Sequence, residues 1–549
     1  MTPPGSPRLL LGPVLRHVGT TTASVWVQTD RPATVRVLDS HARTFEVAGH
    51  HYALVDIDGL SPASATPYTV SLDGQHCWPL PDAKQPASVI HTRGGGDPLR
   101  VVFGSCRYPK PDEPKRVRAL GSDALDAYAA ELSADPASRP PDALLLLGDQ
   151  VYADNPTPQV RRWLATRRDV RRPPWQEVAD FAEYARLYTE SWQDSELRWL
   201  LSTTPTAMIF DDHDVRDDWN TSQAWLANIR RQSWWETRLR AALVSYWIYQ
   251  HIGNLAPDER AADPTWTRVR EATGDTWPIL AEAADLAASN PYAVRWSFRW
   301  DLDRTRLIMV DTRAARVLTE GHRSMLDETE FAWLERSAGE DLADVDHVLV
   351  GSSLPWLLPP AIDHAQAANE RYCGSRNRLV AGLAERARQL ADLEHWAAFQ
   401  RSFARFTALL RDIATDPDAP ATVSVLSGDV HHSYAVRAEF PGVVPDASVY
   451  QLVCSPIHQA LPGPFRAVLR IGWSRPAITL TRWLRRLARA PLPEVSWTRL
   501  RGPYFHNAVA TVHIAGRAAE LAVSKPDGLT CGQVTRLSLG ETREAELAD

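Results

Sequence analysis

Largely apolar runs that stop abruptly at polar clusters recur along the chain. The clearest lies in DALLLLGDQVYAD, residues 142–154, where an apolar run without a charge predicts a strand buried on both faces, as in a parallel sheet. The run stops at Gly148 and delivers Asp149 and Tyr152 at the turn. Three other runs end similarly. Residues 99–103 lead into Gly104-Ser105-Cys106-Arg107, residues 207–210 into Asp211-Asp212-His213-Asp214, and residues 422–426 into Ser427-Gly428-Asp429-Val430-His431-His432. Ligands of open α/β sheets bind at the carboxyl ends of strands, so parallel strands would bring all four clusters to one sheet edge. A carboxylate placed there directly after an apolar strand requires a cationic partner.

Between these runs the pattern turns helical around residues 119–132, 181–201, 225–249 and 377–410. Further strands fall within 296–311, at 347–352 and at 449–454, and a hairpin over 508–523 turns at Gly516-Arg517. Strands alternating with helices predict a layered α/β core, taken as residues 97–530. Ahead of it, residues 10–93 contain short strands at 23–28, 34–38, 52–57 and 68–72 separated by turn residues, the pattern of a fibronectin- or immunoglobulin-like β-sandwich. Gly94–Gly96 reads as the linker. The sandwich holds no cluster of His, Cys and acidic groups, so it is expected to be structural or to cover the site in part.

Composition narrows the function classes. A chain of 549 residues, 44% apolar and 23% charged, describes a globular protein of more than one domain. Sixty basic and 67 acidic residues leave a net charge of -7, which carries no general nucleic-acid or membrane signature, and no nucleic-acid partner is expected. Most of the 21 tryptophans are expected in cores or between helices. The five cysteines lack CxxC spacing, which speaks against a disulfide framework and for a reducing compartment. The opening stretch MTPPGSPRLLLGPVLRH shows neither a cleavage site nor a twin-arginine pair, and no run reaches the roughly 18 apolar residues that span a bilayer. A cytoplasmic location is therefore expected. The Arg- and Trp-rich stretch 475–489 predicts a surface helix that buries its Leu and Trp stripe, with peripheral membrane contact as the alternative. The pairs Asp346-His347 and Asp363-His364 are read as surface or helix-end groups, and Cys454 as a buried structural thiol.

Cys106, Asp149, Tyr152, Asp212, His213, Asp429 and His431 together make a set of thiolate, carboxylate, phenolate and imidazole donors. Hard oxygen donors suit a hard cation, whereas thiolate and imidazole favour a transition metal, so a mixed set points to two or more different ions. In order along the chain, GSCR at 104–107, GDQVY at 148–152, FDDHD at 210–214, MVDTR at 309–313 and SGDVHHS at 427–433 resemble the motifs of PhoD-like alkaline phosphatases. That family is related to the purple acid phosphatases among the calcineurin-like metallophosphoesterases, and the resemblance runs from about residue 12 to the final hairpin. It implies an αββα metallophosphoesterase domain behind the β-sandwich and hydrolysis of phosphate mono- or diesters by metal-activated hydroxide.

The resemblance further implies a ferric ion, Fe(3+), held by Cys106, Asp149, Tyr152 and His431. Asp149 bridges to a second ion, Ca(2+) in kind, bound also by Asp212 and Asp429. His213 takes the place of the catalytic histidine, Asp214 is expected to orient its ring, and Arg107 to reach a phosphate oxygen. Ala153 stands where relatives often carry Glu, and the adjacent Asp154 is the expected substitute. The rival readings are a nuclease or phospholipase using the same metals, and a catalytically silent binding protein.

Overall fold

The computed structural model of the chain describes residues 5–135 and 138–540. The first four residues of the amino-terminal stretch lie outside them. The chain is a mixed α/β protein whose antiparallel amino-terminal sheets precede two larger mixed sheets.

The amino-terminal sheets form a sandwich. Leu9–Val18, Ala23–Thr29, His50–Ile57 and Phe45–Val47 pair in that order, facing Ser40–Arg43, Thr34–Val37, Val70–Leu72 and Gln75–Trp78. Alternation along Ala23–Thr29 explains how all seven of its residues come to be buried. Val25 and Val27 enter the sandwich core with Val35, Val55 and Leu72, while Trp26 points the other way into the core of the α/β part. There its ring meets Trp192 and Tyr249, centroid distances 5.9 and 5.3 Å. The sandwich is thus buried on both faces of its central strand.

The first large sheet runs Thr206–Ile209, Ala143–Leu147, Leu99–Gly104, then Val509–Ala515, Ala518–Asp527 and Thr530–Leu539. Its first three strands are parallel and the remainder antiparallel. The hairpin turns at Gly516, φ 57°, and a final strand that the residue pattern did not reveal carries the fold past residue 530 to Leu539. The second large sheet runs Phe298–Leu302, Thr305–Val310, His347–Ser352, Thr422–Ser427, Ser448–Val453, Ser433–Glu439 and Ser496–Tyr504, parallel across its middle. Alternate side chains of these strands serve two cores. Leu307, Met309, Leu349 and Leu426 join the first sheet's residues, whereas Ile308, Val310, Val348 and Val425 pack beneath Glu328–Gly339 and Gln400–Ala414. With Ala124–Ala134 on the outside of the first sheet, the layering is αββα.

This arrangement corrects one expectation. The four polar clusters do not share one sheet edge: those after residues 104, 147 and 209 belong to the first sheet and that after Ser427 to the second. The sheets are face to face, so the ends still converge. The helix expected over 181–201 is two helices, Phe181–Trp192 and Ser195–Thr203, because Asp194 breaks the run and caps the second, accepting from Glu196 N–H at 3.2 Å.

The acid–histidine pairs read as surface or helix-end groups are buried, although Asp363 does stand in the first turn of Pro360–Cys373. His347 is inaccessible and hydrogen-bonds Thr422 and Gly516 O. Asp363 is equally inaccessible because the Arg485 guanidinium, contributed by the distant helix Arg475–Leu487, donates to its Oδ1 at 2.9 Å. Burial pushes the Asp363 carboxyl up to about 6 even though Arg485 opposes this. Arg485→Ala leaves that acid unpaired and should destabilise the protein by about 3–5 kcal/mol, read as a fall in denaturation midpoint. Arg485→Ala together with Asp363→Ala should recover much of the loss.

Candidate metal centre

Four non-glycine residues at the strand ends have left-handed backbones: Cys106 at φ 58°, Asp149 at 53°, Asp429 at 61° and His431 at 50°. Such conformations are unfavourable for residues with a Cβ and persist where surrounding structure enforces them. The enforcement is visible. Cys106 N–H donates to Gly148 O at 3.3 Å and Arg107 N–H to Asp149 O at 3.4 Å, lacing two strand ends together. Asp429 N–H donates to Ser105 Oγ at 2.9 Å, joining the second sheet to the first. Gly148, at φ 106°, lies so close to Asp211 that a Cβ would sit 2.6 Å from the Asp211 Cβ. A Cβ on Gly428 would run into Ser105.

The result is two overlapping groups of donor atoms. The Cys106 thiol, an Asp149 oxygen and a His431 nitrogen lie within 4.8 Å of one another, as do oxygens of Asp149, Asp211 and Asp212. Tyr152 is buried beside the first group, its ring 4.9 Å from that of His213 and 5.1 Å from that of Tyr108. Both Asp149 carboxylate oxygens and the Tyr152 phenol oxygen are sealed from solvent without a hydrogen-bond partner of good geometry among the described residues.

Burial, reinforced by Asp149 and Asp429, pushes the Cys106 thiol well above its ordinary value. Burial with Asp149 and Cys106 does the same to Tyr152. Burial, opposed by His213 and reinforced by Asp212, Asp214 and Asp429, raises Asp149. His431 is lowered to about 4 by burial and is neutral, the form that ligates. Acids crowded in the dark with unpaired oxygens are costly alone and are stabilised by a cation, which favours their ionised forms. The donor set therefore fits a metal pair.

Asp429 is placed differently from the other expected second-ion ligands. It lies in neither group, and its Oδ2 is 3.1 Å from His395 Nε2. Asp211 stands with Asp149 and Asp212 instead, while Asp212 Oδ2 accepts from Asp218 N–H at 2.9 Å. Arg313, at the end of the MVDTR segment, is fully buried. It donates to Asp211, lies 3.1 Å from Asp212 Oδ1, and donates to Glu394 at 2.5 Å. Asp211 is legible in the FDDHD cluster but carries no expected ligand role, and Glu394 and His395 went unnoticed, an ordinary pair between two helices in the sequence.

His213 has a different carboxylate neighbour from the one expected. Its Nδ1 is 2.9 Å from Asp154 Oδ2, so Asp154, rather than Asp214, orients the ring. Burial lowers the His213 pKa, but Asp154, Asp212 and Asp149 outweigh it and hold the imidazole well above its ordinary range. Asp154 in turn is drawn down to about 2 by His213 against the effect of burial. Asp214 closes the one-turn helix Asp212–Asp214 and turns its carboxylate to backbone donors: Asp211 N–H at 2.9 Å, Asp149 at 3.1 Å, Gln150 and Val151 at 3.2 Å. It shapes the loop that carries Asp149. Arg107 is likewise engaged elsewhere, 3% exposed, with Nε 2.8 Å from Asp123 and Nη1 donating to Ser191 O at 2.8 Å. It braces the strand end that carries Cys106 and is not free to reach a phosphate.

Fold and site together define a layered α/β protein built to hold metal ions. A family model described as PhoD-like phosphatase matches residues 125–471, and the chain belongs to that family. It is a phosphatase-type hydrolase, and a phosphate ester is its substrate class. Residues 6–90 match a model described as a domain of unknown function, DUF7800. The solved structure of PhoD is similar at 13% identity and a TM-score of 0.57, over 97% of this chain and 90% of that one, which establishes the shared fold. A dimetal phosphatase from Danio rerio aligns at 9% identity with a TM-score of 0.32, over 81% of this chain and 99% of that one. No curated protein is matched by the sequence.

Proposed function

We propose that the chain hydrolyses phosphate mono- or diesters at a ferric iron and calcium-type centre. Cys106, Asp149, Tyr152 and His431 hold the iron. Asp149, which belongs to both donor groups, would be shared with a second ion that Asp212 and either Asp211 or Asp429 would also hold. The observation that carries this reading is that both Asp149 oxygens and the Tyr152 phenol are sealed from solvent without a hydrogen-bond partner of good geometry among the described residues, beside the Cys106 thiol. When bound, such ions neutralise phosphate oxygens and acidify a water.

The protein's own part is positional. Asp154 keeps the His213 proton on Nδ1 and stabilises the charged imidazole, which leaves Nε2 to hand a proton to the departing ester oxygen. Arg313 holds Asp211, Asp212 and Glu394 in one arrangement. The net charge of -7 favours a small ester over a nucleic acid. The free state of all five cysteines supports a reducing, cytoplasmic setting. A sandwich at 10–93 serving a catalytic part that begins at 97 belongs to the same proposal.

Metal analysis of protein purified without added metals tests this. The protein should contain iron and show a visible tyrosinate-to-iron band that Tyr152→Phe abolishes. Cys106→Ala should lose iron and activity together. Colourless, iron-free protein with full activity would overturn the ferric assignment.

A further inference from the structure

Between Asp446 and Glu494 the chain carries no acidic residue and is studded with arginines, although its net charge is -7. This segment forms two consecutive helices, Gly463–Gly472 and Arg475–Leu487. The second packs against Pro360–Cys373 in an inverted way. Its inward row, Ala477, Ile478, Thr481, Arg485 and Ala488, is small or polar apart from Ile478, and Arg485 is its most buried member at 1% exposure. Its Leu and Trp stripe faces outward instead: Leu480, Trp483 and Leu487 are 57, 55 and 54% exposed. This corrects the expectation that the helix buries that stripe. The cause is the Asp363 carboxylate, which takes Arg485 as its buried partner and so fixes which face turns inward. Beside the apolar stripe runs an exposed row of Arg475, Arg482, Arg486 and Arg489. The preceding helix repeats the theme, with Phe465, Val468 and Ile471 at 60, 58 and 57% exposure.

We propose that this helix pair is a docking surface for an anionic lipid bilayer. Helices lying in the interface plane bury Leu, Phe and Trp among acyl chains while guanidinium groups extend to the headgroups, and both rows are present here at helical spacing. The absence of acidic groups selects anionic over zwitterionic lipid. Insertion across the bilayer is not involved, since no helix among the described residues is long and apolar enough to cross a membrane. A second copy of the chain fits poorly: like faces would bring two arginine rows together with no carboxylate in the segment to neutralise them. The surface is also tied to the metal centre. Arg470 lies over the Phe505 ring at 4.9 Å, and Phe505 stacks on His432, the neighbour of His431, at 5.8 Å. A bilayer seated on these helices would thus lie alongside the segment that delivers His431.

Flotation of the full chain with vesicles tests the surface without reference to catalysis. Phosphatidylcholine vesicles are compared with vesicles in which part of that lipid is replaced by phosphatidylglycerol. The protein should float with the second kind only, and less at high salt. The triple variants Leu480→Ser/Trp483→Ser/Leu487→Ser and Arg482→Glu/Arg486→Glu/Arg489→Glu should each weaken binding by on the order of tenfold or more. Both should keep the parent's melting temperature and its activity on a soluble ester. Leu529→Ser, at a leucine 80% exposed in a hairpin turn, should float like the parent. Failure of the parent to float with phosphatidylglycerol vesicles would overturn the proposal, as would flotation indifferent to both triple variants. A dimer in light scattering that the Leu/Trp variant converts to monomer would assign the face to a second copy instead.

Discussion

Asp149→Asn is expected to empty both metal positions together and to lower hydrolysis about a thousandfold or more. Asp149 joins the two donor groups, near the Cys106 thiol and His431 imidazole on one side and the Asp211 and Asp212 carboxylates on the other. Because neither of its oxygens has a hydrogen-bond partner of good geometry among the described residues, and only the Tyr152 phenol lies beside it, the substitution removes little on which the fold relies. The apo-protein should even benefit. Burial and the neighbouring Asp212, Asp214 and Asp429, against His213, raise the Asp149 carboxyl above its usual range. A raised carboxyl binds a proton more tightly when folded than when unfolded. Its contribution is therefore fully present below about pH 4 and is lost as pH climbs above that value.

Stripped of metal at neutral pH, Asp149→Asn should accordingly melt at or above the stripped parent, and the gap should close toward pH 4. With metal, the parent should melt above both. These outcomes need only metal analysis, ester hydrolysis and melting curves with and without chelator. A variant that keeps its iron, or that melts far below the stripped parent, would make Asp149 a residue of the fold rather than of the metal.

The strand ends were legible because a strand buried on both faces tolerates no charge, so an acid directly after such a run stands out. DALLLLGD and TVSVLSGD are of this kind, and their Asp149 and Asp429 do lie at converging ends. Pattern does not say which sheet a strand joins, and so the split between two facing sheets was invisible. Adjacency misled at Asp214: in a one-turn helix the next residue points elsewhere, and its carboxylate is captured by backbone donors, whereas Asp154 approaches His213 from 59 positions away. Glu394 and Arg313 are 81 positions apart, and nothing local marks either as buried. The helix Arg475–Leu487 shows a related limit. Periodicity revealed two faces, but only Asp363, 122 positions from Arg485, decides which is covered.

The amino-terminal sandwich gains meaning from the same comparison. Trp26 reaches Trp192 and Tyr249, and Tyr188 stacks on Tyr249 at 3.9 Å. Tyr188 also accepts from Gln250, whose amide donates to Asp214 at 3.3 Å. A continuous packed path thus runs from the sandwich to the loop that carries Asp149. The sandwich has no donor cluster of its own, and its contact with the site is through support of that loop.

His213→Ala should separate proton donation from metal holding. If Nε2 protonates the leaving oxygen, its loss should be felt most when that oxygen is a strongly basic alkoxide. General-acid contributions of this kind are about 100- to 10,000-fold. Alkyl phosphates should therefore slow by that order and nitrophenyl esters distinctly less, with iron content unchanged. Asp154→Asn should follow the same pattern more weakly. Without the carboxylate on Nδ1, the imidazole loses the main influence that raises its pKa, and the alkaline limb of the pH profile should move to lower pH. The direction follows from the charge balance: His213 acts as an acid only while protonated, and Asp154 is the strongest influence that keeps it so against burial. A uniform loss across both ester classes, accompanied by loss of iron, would instead make His213 a metal ligand. In that case the donor would have to be sought in His395, which already faces Asp429 at 3.1 Å.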